Sequence, residues 1–147
     1  MEIRKLASQD ALDIQTVLNT HQQEPYFVPY GLNWTENQIK NALQHLSWGI
    51  FEAGQCVSFI CLRRAHESLL ELDLMVTRKD MSHKNYMNKL ITHIRREYFG
   101  REIWLEVHQN NLRALKFYEK QGFLKVGERP RYYPDGGVAI LMSLKSP

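Results

Sequence analysis

Cysteine is scarce in this chain. Only Cys56 and Cys61 among 147 residues carry thiols, and they lie five apart in an apolar, strand-like run. An odd spacing puts two side chains on opposite faces of a strand, so no disulfide is expected and both read as reduced core residues in a reducing compartment. Long apolar runs are missing as well: nothing approaches the roughly 18 consecutive apolar residues of a membrane span. The opening MEIRKLASQDALD has no apolar signal segment, and the expected location is cytoplasmic, with no membrane contact. None of the six His sits beside another His or a Cys at ligand spacing, so no metal is expected. Repeats, low-complexity tracts and linkers are absent too, which leaves residues 1–147 as one expected domain.

What is present is unevenly charged. Residues 1–77 hold 5 Lys/Arg against 9 Asp/Glu, a net −4, whereas residues 78–147 hold 14 against 7, a net +7. The second half therefore suits an anionic partner, either the phosphates of a small ligand or a nucleic-acid backbone.

Periodicity orders the elements. Met1–Ala7 alternates as an edge strand, and Ala11, Ile14, Val17 and Leu18 space a helix at about 10–20. Pro25, Pro29 and Gly31 make Gln22–Trp34 a loop, after which Thr35 and Gln38 form a capping box for a helix over Ile39–Leu46. Loop and helix together read as a lid. Ser47–Ala53, Cys56–Arg64 and Leu69–Thr77 read as an antiparallel meander turning at Ala53-Gly54-Gln55 and Ala65–Ser68. Ser82 is the expected cap of a long amphipathic helix stopped by Gly100. A strand over Arg101–His108, a helix from Asn110/Asn111 to Lys120, and strands Phe123–Tyr133 and Val138–Leu144 complete the chain. The order β-α-α-β-β-β-α-β-α-β-β predicts an α/β domain, one mixed and mostly antiparallel sheet of about seven strands flanked by about four helices.

The segment Leu105–Phe123 reads LEVHQNNLRALKFYEKQGF, with Glu106 on the strand, Asn111, Ala114 and Tyr118 on the helix, and Gly122-Phe123 at its stop. This spacing resembles the GNAT acetyltransferases, most closely the bacterial ribosomal-protein N-terminal alanine acetyltransferases. Arg131-Tyr132-Tyr133-Pro134 followed by Asp135-Gly136-Gly137 resembles the closing hairpin of the same family. The resemblance implies acetyl transfer from acetyl-CoA to a primary amine, on a protein N-terminus or a small molecule, without a metal. It makes Tyr118 the general acid, places the coenzyme against the backbone of Leu74, Met75 and Val76, and has Asn111 and Ala114 contact it.

Chemistry alone asks for three things: a deprotonated amine, a polarised carbonyl and a proton for the departing thiolate. The phenol of Tyr118 is protonated at neutral pH and can supply that proton, although at i+4 from Ala114 it also fits a core aromatic. Glu106 alternates with Leu105 and Val107 and so faces the other way, toward a cleft, as a candidate base. Glu71 and Asp73 share a strand face by their i, i+2 spacing, and either fits the same role. Asn111 equally fits a helix cap.

One motif departs from the family. Where the family has Q/R-x-x-G-x-G/A before its long helix, to bring backbone N–H groups onto a pyrophosphate, this chain has Met81-Ser82-His83-Lys84-Asn85-Tyr86. Residues Ser82 to Met87 remain the expected coenzyme loop, with Lys84 adding charge. Tyr26, Tyr30, Trp34, Arg131, Tyr132 and Tyr133 are expected to shape the acceptor pocket, or else to pack the loops on the core. The expected partners are a coenzyme A thioester and an amine acceptor, with a second copy of the chain left open and nucleic acid disfavoured. The alternatives are a catalytically weak domain kept as an interaction module, or a nucleic-acid- or ribosome-associated protein.

Overall fold

The computed structural model, which describes residues 1–145 and of His83 the backbone alone, follows the expected order of elements. Strand β1 (Glu2–Lys5) leads to α1 (Ala11–Asn19) and α2 (Glu36–Ala42), then to the meander β2 (Leu46–Glu52), β3 (Gln55–His66) and β4 (Leu69–Thr77). Helix α3 (Tyr86–Glu97), β5 (Glu102–His108), α4 (Leu112–Lys120), β6 (Leu124–Arg129) and β7 (Ala139–Leu144) follow. Among the described residues the seven strands form one sheet in the order β1-β2-β3-β4-β5-β7-β6, with β4 and β5 parallel and every other neighbouring pair antiparallel.

Side-chain alternation splits the core into two layers. On one face Trp48, Ile50, Ile60, Leu62, Leu70 and Leu72 meet Leu90, Ile91 and Ile94 of α3 and Tyr118 of α4. On the other, Phe51, Phe59, Cys61 and Val76 meet Ile14, Val17 and Leu18 of α1 and Ile39 of α2. The capping box at α2 forms as expected: the N–H of Gln38 donates to Thr35 Oγ1 (3.2 Å) and the N–H of Thr35 to Gln38 Oε1 (2.7 Å).

Two β-bulges carry information that spacing does not. Phe51 pairs with Cys56 but Ile50 with Ser58, so Val57 is an extra residue on β3. That insertion cancels one alternation, and Cys56 and Cys61 occupy the same apolar layer rather than opposite faces; both are free, with burial pushing each thiol up to about 12. The second bulge opens the sheet. Leu62 pairs with Leu72 but Cys61 with Leu74, leaving Asp73 as the extra residue on β4. Pairing of β4 with β5 runs from Leu69↔Glu102 to Leu72↔Leu105 and stops there, one residue before the bulge. A bulge bends its strand and raises its twist, so the ends of β4 and β5 diverge in the middle of the sheet.

Three expected boundaries move. Residues Lys79–Lys84 wind into a 3-10 segment, so Ser82 caps nothing; α3 starts at Tyr86 behind Asn85, which is left-handed (φ 63°) and makes no side-chain cap. The helix expected to reach Leu46 ends at Ala42, because Leu46 already pairs with Leu62. Strand β6 ends at Arg129, and the chain through Tyr132 and Tyr133 folds back, both of their N–H groups donating to Gly137 O.

Candidate active site

Between the diverging ends of β4 and β5 lies a cleft of about 1140 Å³ that reaches the loop at 22–34, the start of α3, one side of α4 and the β6–β7 turn. Strand β4 supplies one wall. Arg78 N–H donates to Val57 O (2.8 Å), which makes 78 and 57 a hydrogen-bonded pair; alternation then commits the N–H groups of Val76 and Leu74 to β3 and turns that of Met75 toward the gap. Leu74, Met75 and Val76 all line the cleft, but one of the three presents an open backbone donor.

Tyr118 stands on the opposite wall, 6% exposed, its ring edge-on to Phe117 and Phe123. The hydroxyl has no hydrogen-bond partner among the described residues, and burial pushes its pKa well above the ordinary phenol value, so the proton stays on oxygen at neutral pH. Asn111 does cap α4, its Oδ1 accepting from the N–H of Ala114 (3.3 Å), and both residues still line the cleft.

Glu106 reaches the same space from β5. Its Oε1 lies 3.4 Å from Arg129 Nε, whereas Oε2 is buried with no partner among the described residues. The competing carboxylates are engaged: Arg63 donates to Asp73 Oδ2 (2.6 Å), to Asp73 Oδ1 (2.9 Å) and to Glu71 Oε2 (2.7 Å).

The start of α3 lies at the cleft's far end, where Ser82, Asn85, Tyr86 and Met87 contribute to the lining. With no side-chain cap from Asn85, the first N–H groups of the helix have no intrahelical partner. Tyr86 does not fill this space as a bulky residue there would. Its ring is 3% exposed within the α3 core layer, and its hydroxyl donates to Glu52 Oε2 (3.0 Å). Lys84 is exposed and outside the lining, and the His83 side chain lies outside the described residues.

Aromatic rings close the near end. Tyr26 stacks on Tyr30 (5.5 Å), and Tyr132 meets Tyr133 edge to face (5.0 Å). Trp34 lines the cleft beside them, whereas Arg131, at a turn with φ 52°, is outside the lining. Burial, and then the neighbouring Glu106 carboxylate, push Tyr132 up to about 12. His108, which no motif singled out, sits among these rings; alternation with Glu106 on β5 was the only sequence signal for it.

The architecture recurs in solved proteins. The ribosomal-protein-S18-alanine N-acetyltransferase from Escherichia coli superposes with a TM-score of 0.84 at 22% identity, covering 98% of this chain and 92% of its own. The PaiA N-acetyltransferase from Thermoplasma acidophilum, solved in complex with coenzyme A, reaches 0.77 at 21% identity over 98% of each chain. An N-alpha-acetyltransferase of Saccharolobus solfataricus is 29% identical over 119 residues, 78% of this chain and 70% of that relative. With the sequence model of the acetyltransferase (GNAT) family matching residues 9–123, the chain belongs to that family, and its reaction is the transfer of an acetyl group from acetyl-CoA to an amine.

Proposed function

We propose that the acceptor is the α-amine of a protein or peptide N-terminus, and that transfer is direct, with no acyl-enzyme. The observation that carries this reading is one cleft lined by both Tyr118 and Glu106, with the rings of Tyr26, Tyr30, Trp34, Tyr132 and Tyr133 and the carboxylates of Glu71 and Asp73 also on its lining. The unpaired Oε2 of Glu106 supports it as the base, since a buried acceptor without a partner costs stability unless a substrate or water fills the site. Glu106 takes the proton of the ammonium, directly or through one water, and the amine lone pair attacks the acetyl carbonyl. The Met75 N–H stabilises the oxygen that becomes negative. The C–S bond then breaks, the thiolate receives the Tyr118 proton, the new amide nitrogen gives up its second proton to solvent, and solvent returns a proton to the Tyr118 oxygen.

In this reading the pyrophosphate lies at the open start of α3, held by backbone N–H groups of Asn85, Tyr86 and Met87, because those of Ser82–Lys84 belong to the 3-10 segment, with Lys84 adding long-range charge. Asn111 and Ala114 border the coenzyme, while Tyr26, Tyr30, Trp34, Tyr132 and Tyr133 border the acceptor. The two buried free thiols and the absence, among the described residues, of a helix able to cross a membrane accord with a cytoplasmic enzyme.

A peptide library with free α-amines, randomised at its first three positions, tests the acceptor with acetyl-CoA as donor. The expected result is a one-acetyl mass gain at the α-amine and stoichiometric coenzyme A release. Acetylation confined to lysine side chains or to free polyamines would overturn the N-terminal reading.

A further inference from the structure

We propose that His108 is a positioning residue that ties both acceptor-side loops to the end of β5 and so sets the acceptor site without touching the coenzyme site. The inference rests on the N-terminal acceptor reading for its kinetics but not for its structural test. His108 is 2% exposed, at the last position of β5. Its Nε2 lies 3.0 and 2.9 Å from the two carboxylate oxygens of Asp135 in the β6–β7 turn. Its Nδ1 accepts from the N–H of Asn110 (3.1 Å). A backbone N–H can only donate, so Nδ1 carries no proton and the neutral ring must hold its proton on Nε2, aimed at Asp135.

The ring faces are used as well. Tyr30, from the loop at 22–34, and Tyr133, from the β6–β7 turn, each lie 4.8 Å from the imidazole centroid. One side chain thus contacts two loops that lie about a hundred residues apart in the sequence. Gly137 belongs to the same arrangement: a Cβ there would collide with His108 Nε2, and its N–H donates to Asp135 Oδ1 (2.9 Å), holding the carboxylate toward the ring. A histidine serving only to fill the core would not need a carboxylate partner, a glycine cleared of side chain and two tyrosines at once.

Three variants separate positioning from general stability. His108→Ala removes the ring; His108→Gln keeps an N–H donor without the aromatic faces; Asp135→Asn weakens the tether at an accessible turn. Hydrogen exchange on the protein without ligand should speed up in both residues 22–34 and residues 130–138, while residues 82–90 stay unchanged. With a peptide from the library, KM for the peptide should rise about tenfold in His108→Ala, the scale of one well-placed hydrogen bond, and less in His108→Gln. KM for acetyl-CoA should hold within about twofold, well below the effect of one lost hydrogen bond. Unchanged exchange in either loop for both His108→Ala and Asp135→Asn overturns the proposal. Faster exchange spread through residues 82–90, or equal rises in both KM values, would assign His108 a general structural role and overturn it too. Failure of every peptide as acceptor would count against the N-terminal reading alone, because the exchange result stands without a substrate.

Discussion

Tyr86 occupies the position where the family keeps a small residue, and its geometry predicts what restoring one would do. The ring lies inside the layer formed by α3 and the sheet, 3% exposed, with its hydroxyl on Glu52 and Lys89 Nζ 5.4 Å from its centroid. Tyr86→Ala therefore deletes a buried ring, and large aromatic-to-alanine changes in cores cost about 3–5 kcal/mol. Against a domain stability of about 5–15 kcal/mol that is a large fraction. For a chain of this size each kcal/mol lowers Tm by about 2–4 °C, so a fall of about 6–20 °C is expected. Tyr86→Phe keeps the ring and should recover most of the loss. Calorimetric scanning reads the stability, and titration with acetyl-CoA reads the site, where affinity should not improve because the native ring does not stand over the helix start. The reasoning fails if Tyr86→Ala melts within 2–4 °C of the parent, a loss of only about 1 kcal/mol, while binding acetyl-CoA at least tenfold more tightly. That outcome would mean the ring obstructs the coenzyme.

Three further predictions follow from the site and the core. Tyr118→Phe should fold with unchanged Tm yet lose about 10²–10⁴ in kcat, the usual contribution of a general acid; steady-state kinetics at saturating acetyl-CoA check it, and a parental kcat would remove Tyr118 from the mechanism. Glu106→Gln should lower kcat more at pH 7 than at pH 9, where more of the amine is already deprotonated; equal loss at both pH values would point to a structural role. Asp10, 3% exposed, is held below its ordinary value of 3.8 first by its hydrogen bond from Arg4 and also by the Ala7 N–H. A depressed carboxylate stabilises above its unfolded pKa and loses that contribution as pH falls through the folded one. Chemical denaturation of the parent and Asp10→Asn should thus differ most above about pH 5 and converge as pH falls through the folded pKa; a constant difference would contradict the pairing.

Periodicity and turn residues made the element order legible, because helices and strands announce themselves through 3.6- and 2-residue repeats. Glu106 was legible as the strand residue that alternates away from Leu105 and Val107, whereas Tyr118, whose spacing alone fits a core aromatic, was singled out by the family resemblance and sits in the core layer where it borders the cleft. The bulges at Val57 and Asp73 were not, since an extra residue in a strand changes pairing without changing composition. The misplaced cap at Ser82 has a comparable origin: the serine has the right chemistry, but residues 79–84 satisfy their backbone by winding into a 3-10 segment of their own. His108 escaped notice because its meaning lies in Tyr30, Tyr133 and Asp135, partners from two distant loops that no local pattern connects to it.

The break between β4 and β5 has a consequence for how this protein can be improved. Everything downstream of Leu72 on β4 has a row of main-chain groups facing away from β3 that β5 does not answer, and that exposed edge sits at the centre of the sheet rather than at its margin. A more regular sheet, with Asp73 no longer bulged and the two strands zipped to their ends, would gain ladder bonds but turn Met75 off the layer it shares with Leu70 and Leu72, because the bulge is what cancels one alternation between them. It would also close the cleft that Tyr118 and Glu106 line. Stabilising substitutions in this chain are best confined to α1, α2 and the β1–β2 margin, away from the bulge that shapes the cleft.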